Sequence, residues 1–398
     1  MKNSRRSFIK KLVVSTPLPF FISRRYIFSL PIPYEFEERP FTIPIESFSK
    51  RIKRAREKMK ENGFSHLLIS PGTNFYYFTS LRTWYSERTE LLILSIDKEP
   101  YILCPSFELR RFNRQPLIKN FILWEEHENP FEKLSEFISK SSGSKKIGVD
   151  PTMRVITEEG IKKALPDKEI LNGEEIINIL RMVKEPDEIE ALRRASSITL
   201  NKLEEGMKKI YPGMTENELQ RILGGGLVQF GENSSIPHGY DGTKKLEKNM
   251  VILIDKGDRV ADYVSDITRT YFFGKPSQKF IEVWETVLRA QEAGMKAAKT
   301  GVPCEDVDRA AREVIDKKGY GKYFIHRLGH GLGLDGHEHP YLVKGNKLPL
   351  PEGTTITIEP GVYIPGEFGV RIEDDFVVTS KGAEPLSQRI EKLPIINI

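Results

Sequence analysis

The chain has 398 residues, of which 39% are hydrophobic and 29% charged, so it can bury a sizeable core in two domains of ordinary globular composition. A formal net charge of +5, scattered over helix faces such as Lys50–Lys60, is too mild to mark a nucleic-acid partner. No run of about twenty apolar residues stands out as a membrane span. Cys104 and Cys304 lie too far apart in sequence to suggest a metal motif or a disulfide framework.

Taken in order, the chain opens on Ser4-Arg5-Arg6-Ser7-Phe8-Ile9-Lys10, followed by the apolar stretch Leu12–Ile22. This resembles a twin-arginine export signal. The expectation is that residues 1–30 direct export to the periplasm or beyond, the alternative being a basic tail on a cytoplasmic protein. Residues 31–47 carry Pro31, Pro33, Pro40 and Pro44 and read as an extended linker. A basic amphipathic helix is expected over Phe48–Gly63, a strand over His66–Ser70, and a hairpin from Glu90–Ile96 and Tyr101–Pro105. Pro130–Ser141 and Thr157–Leu165 read as helices flanking a strand at Lys146–Val149. This alternation makes 48–180 a small α/β domain, suited to dimerisation or to walling off a site elsewhere.

A boundary falls at Arg181–Glu188. Pro186 opens a long helix over Asp187–Ile210, ended by Pro212-Gly213, and Thr215 with Glu218 forms a capping box for the next. Leu200–Arg221 then overlays Leu288–Arg309. Gly206/Gly294, Met207/Met295, Lys208/Lys296 and Gly213/Gly301 are among the identities. Each copy reads as helix, glycine turn and helix ahead of a β-rich stretch. Residues 187–398 are therefore expected to form an α+β domain with pseudo-twofold symmetry and a site between its halves.

The chemistry concentrates in that domain. Asp255, Asp266, Glu359 and Glu373 each end or lie within a strongly apolar β segment: VILID, SDITRTYFF, TTITIEPG and VRIEDDFVV. Four carboxylates on buried strands would repel one another and take up protons unless cations were present. Two divalent ions supply the matching charge. Carboxylate and imidazole ligands suit Mn, Co, Zn or Fe ions. Four of the seven histidines crowd into His326–His339 among glycines, and His238 sits in a second Gly/Pro-rich stretch. The spacing is not that of a helical HExxH site.

The ordered segments DxG…DITRT, GHGxGL…HExP, IEPG and RIEDD resemble the pita-bread metallopeptidases: methionine aminopeptidase, aminopeptidase P and prolidase. The resemblance covers about 187–390. The preceding α/β domain is similar to the creatinase/prolidase N-terminal type, which points to the Xaa-Pro branch. It implies metal ligands at Asp255, Asp266, His330, Glu359 and Glu373, with Asp266 and Glu373 bridging two divalent ions, manganese favoured. It implies substrate-facing roles for His238 and His337 and general-base catalysis by Glu359. Arg371, two residues before Glu373, is expected on the same strand face, supporting a carboxylate or the substrate. A homodimer and a peptide substrate with proline at its second position also follow from the resemblance. Asp262 stands where a glycine is common, and Gly336 where a valine is. Two alternatives remain on the same scaffold: a creatinase-like amidinohydrolase, or a peptidase-like binding module without catalysis. Relatives of both kinds have lost ligands, whereas all five types are intact here.

Overall fold

The computed structural model describes residues 41–115, 117–140, 144–239 and 242–397. The export reading of 1–30 and the linker reading of 31–40 lie outside them. Residues 45–47 are corrected from linker to helix. Helix α1 (Ile45–Glu61) starts directly after Pro44, because Ser47, Phe48, Arg51 and Ile52 already form its buried face.

The first layered region is built on a six-stranded sheet. In chain order its strands are β1 (Phe64–Ile69), β2 (Leu91–Ser95), β3 (Tyr101–Pro105), β4 (Asn120–Trp124), β5 (Lys146–Val149) and β6 (Glu169–Asn172). Their spatial order is β4-β3-β2-β1-β5-β6. β1 runs antiparallel to β2 and parallel to β5. The helices are α2 (Thr73–Thr79), α3 (Leu109–Phe112), α4 (Pro130–Ser139), α5 (Val155–Ala164) and α6 (Glu174–Met182). The expected hairpin is β2–β3. α2, β4, β6 and α6 had not been expected. α2 buries five of its seven residues, so it lacks a polar face whose period could be read.

The second region repeats one plan. α7 (Pro186–Met207) and α8 (Glu216–Leu223) precede β7 (Leu227–Phe230), β8 (Met250–Lys256), β9 (Arg259–Val260), β10 (Tyr263–Val264) and β11 (Ile267–Phe273). α9 (Gln278–Ala297) and α10 (Cys304–Lys317) precede β12 (Gly329–Gly331), β13 (Glu338–Leu342), β14 (Thr355–Ile358), β15 (Gly361–Ile364), β16 (Phe368–Arg371), β17 (Asp374–Thr379) and β18 (Gly382–Pro385). The closing strand β19 (Ile395–Ile396) returns to pair with β11. The turn glycines match: Gly213 has φ +86° and Gly301 +83°, left-handed values that favour glycine. Thr215 and Glu218 close the expected capping box.

One apolar cluster fills the first half, from Leu203 to Phe273; another fills the second half, from Phe280 to Ala383, and takes in Val251 and Phe272 of the first. A third joins Phe48, Ile52 and Tyr77 of the α/β region to Ala191, Leu192, Tyr263, Leu332 and Leu334. Cys104 and Cys304 are free and buried. No described helix is long and apolar enough to cross a membrane.

Candidate metal centre and active site

β8 and β11 form the antiparallel pair that brings the two aspartates together. Thr268 lies opposite Asp255, and the ladder ends at Ile267 opposite Lys256, so Asp266 stands one residue beyond the last rung. Glu359 immediately follows β14, and its backbone N–H donates to Leu328 O at 2.8 Å. β12 carries His330 between two glycines. A Cβ at Gly329 would lie 2.1 Å from Thr357 O, and one at Gly331 2.2 Å from His339 O. Only glycine lets this short strand fit so tightly between its neighbours.

The ligand atoms converge. Asp255, Asp266 and Glu373 each offer an atom within 4.8 Å of the others, as do His330, Glu359 and Glu373. His330 Nε2 lies 3.2 Å from Glu359 Oε1 and 3.9 Å from Asp266 Oδ2. Its Nδ1 is 3.0 Å from Gly331 O. With Nδ1–H donating to that carbonyl, Nε2 is the nitrogen that faces the two carboxylates and the one that a metal would take. Burial, then neighbouring Asp255, Asp375 and Glu359, push Asp266 well above the usual carboxylate range. Glu373 is raised likewise by burial and then by Asp266, Glu359 and Asp255. Burial also works upward on Glu359, but its contact with His330 and the charges of His326 and Arg371 hold it below its ordinary value. Crowded carboxylates beside an imidazole nitrogen form a donor set that a pair of divalent cations would satisfy, so the residues fit the implied metals.

Arg371 organises the carboxylates. Nη2 donates to Asp255 Oδ2 at 2.7 Å, Nε to Thr268 Oγ1 at 2.9 Å and Nη1 to Tyr363 Oη at 2.9 Å. Thr268 in turn donates to Glu373 Oε2 at 2.6 Å. The expectation that Arg371 and Glu373 share a strand face is corrected: β16 ends at Arg371 and β17 begins at Asp374. The chain breaks pairing there because Glu373 N–H donates to Thr268 O at 3.1 Å and its carbonyl accepts from Arg269 Nη1 at 2.7 Å.

His337 is exposed, with its ring centroid 4.1 Å from that of His330. Burial by its surroundings, then the charges of His330 and Arg327, lower its pKa. His238 is exposed and belongs to none of the ligand groupings. It acts electrostatically on His326, whose Nε2 is 2.9 Å from Tyr363 Oη. The sequence pattern did not single out Thr268, Tyr363 or Asp375. Asp375 accepts the backbone N–H of Asp266 at 3.1 Å and the Ser196 hydroxyl at 2.8 Å. The DITRT and RIEDD motifs contain Thr268 and Asp375, whereas no local pattern marks Tyr363.

Both regions of the chain are similar to known proteins. The profile of metallopeptidase family M24 matches residues 190–380, and that of the creatinase/prolidase N-terminal domain matches residues 51–183. The Bacillus subtilis (strain 168) protein YkvY, whose assignment as a dipeptidase is itself provisional, is 35% identical, with 87% of this chain matching 99% of it. A dipeptidase structure from Pyrococcus horikoshii OT3 is 38% identical with a TM-score of 0.78, covering 87% of this chain and 100% of that one. A prolidase structure from Thermococcus sibiricus is 33% identical with a TM-score of 0.80, covering 88% and 99%. The expectation of export is corrected by these relatives. YkvY is matched over 99% of its length by 87% of this chain, and nothing in that match supports the twin-arginine reading. The intact ligand types, their convergence and the match of both domains lead to one assignment: the chain belongs to metallopeptidase family M24, a divalent-metal-dependent family, and is a metallo-exopeptidase with a creatinase/prolidase N-terminal domain ahead of a pita-bread catalytic domain.

Proposed function

We propose that the protein hydrolyses the bond between an N-terminal residue and proline, with two divalent ions held by Asp255, Asp266, His330, Glu359 and Glu373. The observation that carries this reading is that the groupings Asp255–Asp266–Glu373 and His330–Glu359–Glu373 share Glu373, while Asp266 also groups with His330 and His337. Asp266 and Glu373 would help hold both ions, Asp255 would complete one set, and His330 with Glu359 the other. Manganese is the favoured ion. The bound ions would supply Lewis acidity, activating water and polarising the scissile carbonyl. The domains are taken as 48–180 and 187–398, and the active assembly as a homodimer.

The chain's own groups account for the rest. Glu359, held below its ordinary pKa, stays ionised and can accept the proton of the attacking water. His337 is exposed beside His330 and can donate to the scissile carbonyl oxygen, stabilising the oxyanion. His238, exposed in its loop, faces the leaving side of the substrate in this proposal. Arg371 holds the Asp255 carboxylate in place through Nη2. An Xaa-Pro bond has a tertiary nitrogen without an N–H. An enzyme that holds its substrate by the carbonyl does not need that donor.

The test is a length series of Xaa-Pro, Xaa-Pro-Xaa and longer peptides, assayed for hydrolysis with Mn²⁺, Co²⁺ and Zn²⁺, beside Asp266→Asn. The variant should lose both metal uptake and activity. Xaa-Pro hydrolysis by the metal-free variant would sink the proposal.

A further inference from the structure

The ligand-bearing strands β8 and β11 are joined by residues 257–266, which fold out as the small β9–β10 hairpin. This loop is held from both the N-terminal region and the catalytic domain. The Tyr263 hydroxyl accepts from Arg51 Nη2 of α1 at 2.9 Å and donates to Glu188 Oε1 of α7 at 2.5 Å. Arg51 also lies 3.3 Å from Glu188 and donates from Nη1 to Tyr77 O at 3.0 Å. Arg51, Glu188 and Tyr263 are 0%, 1% and 1% exposed, so these polar groups have one another instead of water. Asp262 pairs with Arg82, again from the N-terminal region. Arg259 donates to Leu334 O at 2.8 Å and Val264 N–H to Gly333 O at 2.8 Å, which ties the loop to the segment between His330 and His337.

Two backbone values show that the loop conformation is imposed. Ala261 has φ +47° and Asp262 φ +71°, left-handed values that are unfavourable for residues with a Cβ and persist where surroundings hold them. Asp262 occupies a turn that would suit glycine, and its carboxylate meets a guanidinium across the domain boundary. Asp266 lies past the end of the β8–β11 ladder, so this loop, together with Asp375, determines where its carboxylate stands relative to Asp255.

We propose that the N-terminal domain sets the separation of Asp255 and Asp266 by gripping the β9–β10 hairpin through Tyr263 and Asp262, which makes both of them positioning residues for the metal site. This rests on the ligand assignment proposed above. Arg51 and Arg82 are the gripping groups, and the N-terminal domain acts as part of the metal site without contributing a ligand to it.

Tyr263→Phe keeps the ring and removes the hydroxyl; Asp262→Gly fits the left-handed backbone and removes the carboxylate. For each, calorimetric titration of metal-free protein with Mn²⁺ is compared with thermal unfolding of the metal-free protein and with kcat and KM on Ala-Pro. Tyr263→Phe should weaken Mn²⁺ binding about tenfold, in the range for removing an outer-shell partner of a metal ligand. Asp262→Gly, which breaks a largely exposed pair, should weaken it about threefold. Adding Arg82→Ala to Asp262→Gly should cost nothing more. Excess Mn²⁺ should restore kcat in both variants while KM stays near that of the parent. Unchanged Mn²⁺ affinity with a lowered unfolding temperature would make the contacts merely structural and overturn the inference alone. A parent protein that takes up no Mn²⁺ overturns the ligand assignment and the inference together.

Discussion

At the scale of single residues, burial and partners decide which side chains do work. His66 on β1 is 2% exposed; its Nδ1 meets Ser65 Oγ at 3.0 Å and its Nε2 has no partner among the described residues. Burial pushes its pKa down from 6.5 to about 4. The folded state therefore holds the ring neutral. The associated stability is complete above pH 6.5 and is lost as pH falls from there toward 4. The full effect is about 3 kcal/mol. Denaturation of metal-free protein at pH 7.5 and 4.5 checks this: His66→Leu should show a smaller drop between the two than the parent, and an equal drop would refute it. Arg371 shows the opposite case, a buried cation bound to Asp255, Thr268 and Tyr363 at once. Lysine cannot reproduce that fork. Arg371→Lys should lower kcat by about 10²-fold, a magnitude seen when an electrostatic support in a catalytic site is lost. Retention of full kcat would remove Arg371 from the machinery. The candidate ligands were legible because an acid within or at the end of an apolar β segment is an anomaly. Thr268 and Tyr363 were not, since a threonine and a tyrosine on β segments are ordinary.

At the scale of elements, charge pairs seal the joints. Glu338 opens β13 and bonds to Arg181 on α6, while Lys184 stands 3.3 Å away and Asp335 N–H donates to it at 2.9 Å. Burial alone would raise Glu338, but Arg181 and Lys184 outweigh it and bring its pKa down to about 2. Its contribution is present above the ordinary glutamate value and is lost as pH falls through the acid range toward 2. Glu338→Gln leaves two buried cations short of a partner and should cost about 3–5 kcal/mol. Urea unfolding at neutral pH measures this, and a loss under 1 kcal/mol would show the joint to be slack. Long amphipathic helices such as α1, α7 and α9 were legible from their period and caps. β4 and β6 were not. β6 has no fully buried residue, and β4 buries only Trp124, so neither shows the alternation that marks a strand.

At the scale of the molecule, the N-terminal region and the catalytic half share one apolar cluster, and Phe41–Ile398 groups as one unit. The carboxylates at the centre repel one another in the metal-free protein, as the raised Asp266 and Glu373 indicate. Divalent ions that bind only the folded chain should stabilise it by about 2.7 kcal/mol at a hundredfold excess over Kd. Chelation should therefore lower the unfolding temperature of the whole protein, in one transition if the shared cluster couples its parts. Calorimetry that finds no dependence on Mn²⁺ would contradict the reading of the centre.

The sequence by itself determined the segments that carry the candidate ligands, the repeat behind the two catalytic halves and the class of the N-terminal region. These depend on strand and helix periods, turn residues and ordered motifs, all local along the chain. Only the tertiary structure decided that Arg371 ends one strand while Glu373 stands in the break before the next, that Thr268 and Tyr363 join the candidate site, and that Arg51 and Arg82 hold the loop between Asp255 and Asp266. Such contacts join residues separated by long stretches of chain. They follow from how the layers stack, which no local period encodes.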